Sequence, residues 1–253
     1  MRTDLNYPDE DTRSLVIAVE DFVKEIVATI DNSIVCDLVV SDPPVVTPRK
    51  VTASKPQGGF KIGVRMTISA MVYGAPTYRV EADYVLVWNR TRKFVAVFSS
   101  TFALLIEGSN EPLFHYDYVL EPQGKNPGAH LNIHHDREDV RQALAKGGDR
   151  YRAKARNRSG TLRDSELHYP LGGPRFRPCL EDIIQFMIYE LGVDPKEQWH
   201  RTLSDGRTRW RDRQLRAAVA DNLHVAAQVL RDHDFEVLGG PKPDRNDVRI
   251  TEL

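Results

Sequence analysis

With 253 residues, 41% of them apolar and 28% charged, the chain carries enough hydrophobic material for a packed core, which argues against wholesale disorder. A formal net charge of −1 decides nothing about nucleic acid, but it hides an asymmetry: residues 137–216 hold 18 Lys/Arg against 12 Asp/Glu, and both flanks are acidic. Cys36 and Cys179 sit among apolar neighbours and read as buried hydrophobes of a reducing compartment, and the absence of Cys-x-x-Cys excludes a zinc ribbon or finger. No run approaches the roughly 18–20 apolar residues of a membrane span, and the first residues lack a hydrophobic signal core, so the expectation is a cytoplasmic protein with no membrane partner.

In chain order, Asp11-Thr12 can cap an N-terminal helix over 12–31, because Leu15, Val16, Val19, Phe22, Val23, Ile26, Val27 and Ile30 form one helical stripe. A β-like run from Ile34 to Val40 follows, and the Pro- and Gly-rich residues 42–59 read as a long surface connection. From Phe60 the period becomes two. Phe60 to Ala70 alternate, Gly74-Ala75-Pro76 turns the chain, Tyr78 to Trp88 alternate again, Asn89 to Arg92 turn, and Phe94 to Ile106 is nearly continuously apolar. Leu113–Leu120 and Ala129–His135 read as one more hairpin, completing a meander over 60–136. Residues 137–165 are polar, basic and Gly-interrupted, with one short helix expected at 137–146. In the helical part, 166–238, Pro178 suits a first helical turn with Glu181 and Asp182 near its positive end, and Gly192 stops that helix. Further helices are expected near 195–203 and 208–232. The fold class expected is α+β in one domain, 1–253: an antiparallel β-meander of about five strands, an N-terminal helix and a helical C-terminal part.

The most informative pattern is Phe114-His115-Tyr116-Asp117-Tyr118 with His130-Leu131-Asn132-Ile133-His134. Alternate side chains of a strand share a face, so Phe114, Tyr116 and Tyr118 oppose His115 and Asp117, while Leu131 and Ile133 oppose His130, Asn132 and His134. If the strands pair, the aromatic face meets the Leu/Ile face, and the polar residues collect on the other side. Opposed Cβ atoms about 4.5–5.5 Å apart bring His115, Asp117, His130 and His134 within reach of a shared divalent transition metal. Without a metal, the same four can act as general acid and base in phosphodiester cleavage, since imidazole titrates near neutral pH. The plainer alternative is an ordinary solvated polar face. His168 reads as a packing histidine, or as a third-strand contributor to the same face.

Two basic stretches suggest RNA or DNA as partner. Arg150, Arg152, Lys154, Arg156 and Arg158 crowd one short segment that can neutralise phosphates. Arg209, Arg213 and Arg216 share a helix face at i, i+4 and i+7, next to a Trp210 that either stacks a base or packs on the core. Arg175 and Arg177 either extend this basic surface or bind Glu181 and Asp182.

Phe114–Asp117 and His130–His134 resemble the Phe-Arg-Tyr-Asp … His-x-His hairpin of TumE-type toxins of bacterial toxin–antitoxin pairs, over about 25 residues. His115 stands where those proteins have Arg, and this chain is much longer. The resemblance implies a class only: an RNA-directed, growth-inhibiting or phage-defence role. Taken with the His/Asp pattern, the expectation is a toxin or phage-defence component acting as a metal- or His-dependent ribonuclease. A non-catalytic protein-interaction component with a cognate protein partner, or a nucleic-acid-binding module, stands as the alternative.

Overall fold

The computed structural model describes residues 9–41, 44–48, 59–89, 92–120, 127–134, 137–138, 141–142, 158–160, 163, 167–171 and 177–239. Its frame is a mostly consecutive antiparallel sheet with helices before and after it. Helix α1 spans Glu10–Asp31 and is capped by Asp9, whose carboxylate accepts the Thr12 N–H at 2.7 Å, two residues earlier than the Asp11-Thr12 cap expected. Strands follow at β1 Cys36–Val40, β2 Val45–Pro48, β3 Phe60–Val72, β4 Ala75–Trp88, β5 Val95–Ile106, β6 Phe114–Val119, β7 Ala129–Ile133 and β8 Tyr169–Pro170. Helices α2 Leu180–Leu191, α3 Trp199–Asp221 and α4 Leu223–Asp232 complete the described elements.

The sheet order is β1-β3-β4-β5-β6-β7-β8, with β2 also pairing β3, so the meander is wider than the five strands expected. β1 and β2 take successive halves of one long partner: β1 lies along Met66–Ala70 of β3 and β2 along Phe60–Gly63. Pro-rich composition conceals β2 in the sequence, since prolines flank and end a strand that occupies a sheet edge, where a missing N–H is tolerated.

Burial alternates as the period of two predicts. On β3 the buried side chains are Ile62, Val64, Met66, Ile68 and Ala70, and on β4 they are Val80, Ala82, Tyr84 and Leu86. With Phe102 and Leu104 of β5 they meet Leu15, Val16 and Val19 of α1 and Ile183, Ile184 and Met187 of α2 in a single core. α3 adds Leu203, and it continues unbroken through Gly206, where the sequence suggests two helices. A Cβ at Gly206 would stand 2.5 Å from Glu181 Oε1, so this glycine is where α2 and α3 come close and not where a helix ends.

Two local devices orient the layers. The β3–β4 hairpin turns through Tyr73 (φ 50°) and Gly74 (φ 75°), a two-residue turn with both φ positive, and both N–H groups donate to the Asp194 carboxylate at 3.0 and 2.7 Å. Around it, the Val35 N–H donates to Asp194 O, the Asp194 N–H to Met71 O and the Lys196 N–H to Ser33 O. The link after α2 is thereby stitched between the end of α1 and the first hairpin. At the start of α2, Cys179 is the N-cap and Asp182 accepts its N–H at 3.0 Å, so Pro178 precedes the cap instead of filling the first turn.

A candidate acid–base site on the polar face of β5, β6 and β7

The register of the sheet builds the site. Phe114 opposes Ile133 and Tyr116 opposes Leu131, so the aromatic and aliphatic side chains share the helix-covered side, as their alternation predicts. On the other side, Asp117 lies directly opposite His130 and His115 opposite Asn132. Extending the rows across the sheet, Asp117 faces Thr101 on β5, which faces Asp83 on β4, which faces Arg65 on β3.

The four predicted side chains meet. His115 Nε2 lies 3.3 Å and His130 Nε2 3.5 Å from the same Asp117 oxygen, Oδ2, while Thr101 Oγ1 donates to Oδ1 at 2.7 Å. His134 Nε2 and His115 Nδ1 are 2.9 Å apart, with ring centroids at 4.9 Å. His130 Nδ1 donates to the Pro127 carbonyl at 2.9 Å. Asn132 donates to Leu167 O at 2.8 Å, and the His168 ring lies 4.6 Å from that of His130. His168 is thus a third-strand contributor, placed just before β8.

This is not the solvated face of the plainer reading. His130 and Asn132 are 5% and 2% exposed, and His115, Asp117 and His134 keep only about a fifth of their side-chain surface. Buried polar groups are normally paired: His115, Asp117, His130 and His134 are joined to one another, with Thr101 and Pro127 O beside them, and Asn132 donates to Leu167 O.

The acceptors assign the tautomers. A carboxylate at Asp117 requires an N–H at His115 Nε2, which leaves Nδ1 as a lone pair that accepts from His134 Nε2–H. His134 Nδ1 then carries a lone pair, and among the described residues Glu111 Oε1 lies 4.0 Å from it, on a largely exposed side chain. Burial alone would raise the Asp117 carboxyl, but hydrogen bonds from His115, His130 and Thr101 outweigh it and hold the group well below the usual carboxylate range. His134 moves down from its ordinary value, first through burial and then through the neighbouring His115, with Glu111 opposing.

Among the described residues no group of three or more His, Cys, Asp or Glu could hold a metal ion. Both nitrogens of His115, Nε2 of His134 and Nδ1 of His130 are already engaged, so His115, Asp117, His130 and His134 form a hydrogen-bonded chain in place of a coordination shell.

Of the basic residues, only some fall within the described segments. Arg150, Arg152, Lys154 and Arg156 lie outside the described residues, as does Arg175, and Arg158 is exposed. Arg209 and Arg213 both bind Glu25 of α1 at 2.8 Å, tying α3 to α1, and Arg216 is exposed. Arg177 is 8% exposed and does not extend a basic surface: its guanidinium lies 3.5 Å from the Tyr118 ring centre and 4.7 Å from that of Trp210. Trp210 therefore packs, as the second of its two readings has it.

Thr101 and Glu111 are the site residues that sequence reasoning missed. The first was open to discovery, since pairing β5 against β6 by parity places Thr101 beside Asp117. Glu111 sits in the loop before β6 and carries no periodic signal. No described helix is long and apolar enough to cross a membrane. No protein-family model, curated protein or solved structure matches the chain.

Proposed function

We propose that this protein is a cytoplasmic, nucleic-acid-directed hydrolase, a ribonuclease-like toxin or phage-defence component, whose chemistry runs on His134 through a metal-free relay. The observation that carries the reading is the 2.9 Å contact between His134 Nε2 and His115 Nδ1, backed by Asp117 at 3.3 Å. A half-buried carboxylate orients one imidazole, and that imidazole fixes the tautomer of a second whose outer nitrogen keeps its lone pair. The same logic of orienter, relay and base activates nucleophiles in unrelated hydrolases.

In RNA the nucleophile would be a ribose 2′-hydroxyl. His134 Nδ1 takes its proton as the oxygen bonds to phosphorus. The bond to the leaving oxygen breaks, and the proton passes to that oxygen directly or through water. His115 and Asp117 are positioning residues, and His130 supports Asp117 from the opposite strand. The shift of His134 below its ordinary value keeps the base unprotonated at neutral pH. Resemblance of the hairpin to TumE-type toxins supports RNA as the substrate class.

The test is cleavage of a short single-stranded RNA, and of the same DNA sequence, by purified protein in excess chelator. Cleavage of RNA is expected, rising with pH to a plateau with a midpoint below 6.5, the ordinary imidazole value. His134→Gln keeps an N–H for His115 and should lose activity by about 100-fold or more. Wild-type rates in that variant would refute the role of His134, and loss of all cleavage in chelator would refute the metal-free mechanism.

A further inference from the structure

Two atoms of the site face each other with no proton between them. His134 Nδ1 keeps a lone pair because Nε2 carries the ring's one proton toward His115, and Glu111 Oε1 stands 4.0 Å away. Two acceptors at that distance form no hydrogen bond, yet the distance is within the outer limit of an ion pair. A proton on Nδ1 therefore turns the contact into an attraction.

The loop before β6 fixes where that carboxylate starts. Its backbone turns at Gly108 (φ 80°), and the Ser109 N–H donates to Ile106 O. Arg79 of β4 donates to Ser109 O at 2.7 Å, while Ser109 Oγ accepts the Glu111 N–H and donates to Glu111 O, both at 3.1 Å. Two residues on, Leu113 O accepts the backbone N–H of His134 itself at 2.9 Å. The main chain around Glu111 is thus held from β4 and from β7, and its side chain, 79% exposed, can still turn.

Among the described residues, His115 and Glu111 are the titratable groups set against His134, with Asp117 behind His115 and His130 beyond Asp117. Arg79 is bound to Glu81, Glu107 and Ser109 O, so its charge is already matched beside the loop. Burial and His115 oppose a proton on His134, and Glu111 favours one.

We propose that Glu111 is a positioning residue of this site, whose carboxylate balances the positive charge that His134 gains when Nδ1 takes a proton. Glu111 takes no part in the proton's path, which runs from the nucleophile to Nδ1 and on to the leaving oxygen. Its part in catalysis rests on the hydrolytic reading; its charge pairing with His134 does not. A favoured imidazolium makes His134 a stronger base that sheds its proton only at higher pH, so removing the Glu111 charge lowers both the midpoint and the plateau of the rate.

The test compares wild type with Glu111→Gln and Glu111→Lys, neither of which alters the ring or its partner His115. Each protein is read twice: by the pH dependence of cleavage of a short single-stranded RNA in excess chelator, and by NMR titration of the His134 ring, assigned from its absence in His134→Gln. In both readings the midpoint should fall in the order Glu, Gln, Lys, by about 0.2–0.7 of a pH unit per step at low salt, the range an exposed pair supports. The plateau rate should fall by about 1.5–3-fold per step, since a weaker base transfers protons more slowly. At roughly 1 M salt, where charges are screened beyond about 3 Å, the wild-type midpoint should move toward that of Glu111→Gln. One and the same His134 midpoint in all three proteins would overturn the proposal. So would a raised KM with an unmoved midpoint, which would make Glu111 a contact of the substrate. Absence of cleavage by wild type would refute the hydrolytic reading alone, with the ring titration still deciding the charge pairing.

Discussion

At the scale of single residues, Asp117 is the centre on which the site turns. It accepts from Thr101 and lies against the Nε2 atoms of His115 and His130, so Asp117→Asn leaves two imidazoles without their carboxylate and should lower stability by about 1–3 kcal/mol at pH 7, read by urea denaturation. The sign of its pH dependence follows from linkage. Because the folded carboxyl is held below its ordinary 3.8, its contribution is complete above that value and is lost as pH falls beneath it. The gap between wild type and variant should therefore persist to pH 4 and close only in stronger acid; a gap that closes near pH 6 would assign the effect to the imidazoles instead. Much of this cluster was legible before any coordinates, because strand parity alone gathers His115, Asp117, His130 and His134. What parity could not supply was burial. Whether a polar row faces water or a cover depends on Leu167 and His168, more than 30 residues away in sequence and joined to the row by one hydrogen bond and one ring contact.

At the scale of elements, the alternating strands and α1 follow directly from hydrophobic period, whereas the departures fall where a local signal has two meanings. The gap expected between helices at 195–203 and 208–232 spans Gly206, yet this glycine sits inside one helix and permits a close approach. Leucine there must displace Glu181, whose Oε1 would lie 2.5 Å from the new Cβ, and about 1–3 kcal/mol of destabilisation is expected in thermal unfolding. Alanine should cost much less, since helix propensity gains about 1 kcal/mol against a side chain that can swing away. The first hairpin gives the opposite case. Tyr73 adopts φ 50° with 97% of its surface exposed, so it spends conformational energy without packing in return. Tyr73→Asn supplies the residue type that such turns prefer and should stabilise the protein by about 0.5–1 kcal/mol; a loss of stability would show that the ring has an unrecognised contact.

For the molecule as a whole, the helices and the polar row occupy opposite sides of one sheet, so core and candidate chemistry are separated by a single layer of backbone. The fold class was readable from the sequence because each strand and helix announces its own period. The order of assembly was not, since pairing β1 and β2 with successive halves of β3 is a tertiary choice that no local window records. Ties between distant parts are modest. Glu25 joins α1 to Arg209 and Arg213 at a partly exposed position, and Glu25→Gln should cost no more than about 1 kcal/mol in chemical denaturation. The stitch at Asp194 is of another kind, because it satisfies backbone groups of both α1's exit and the β3–β4 turn from a residue 121 positions downstream of Tyr73. During synthesis, a ribosome that has released the whole meander still holds the residue that completes its first turn. Chains halted before residue 194 should therefore be readily cut by protease near Val35 and Tyr73, and those halted after the helices should resist, so the earliest strands to emerge are among the last to be secured.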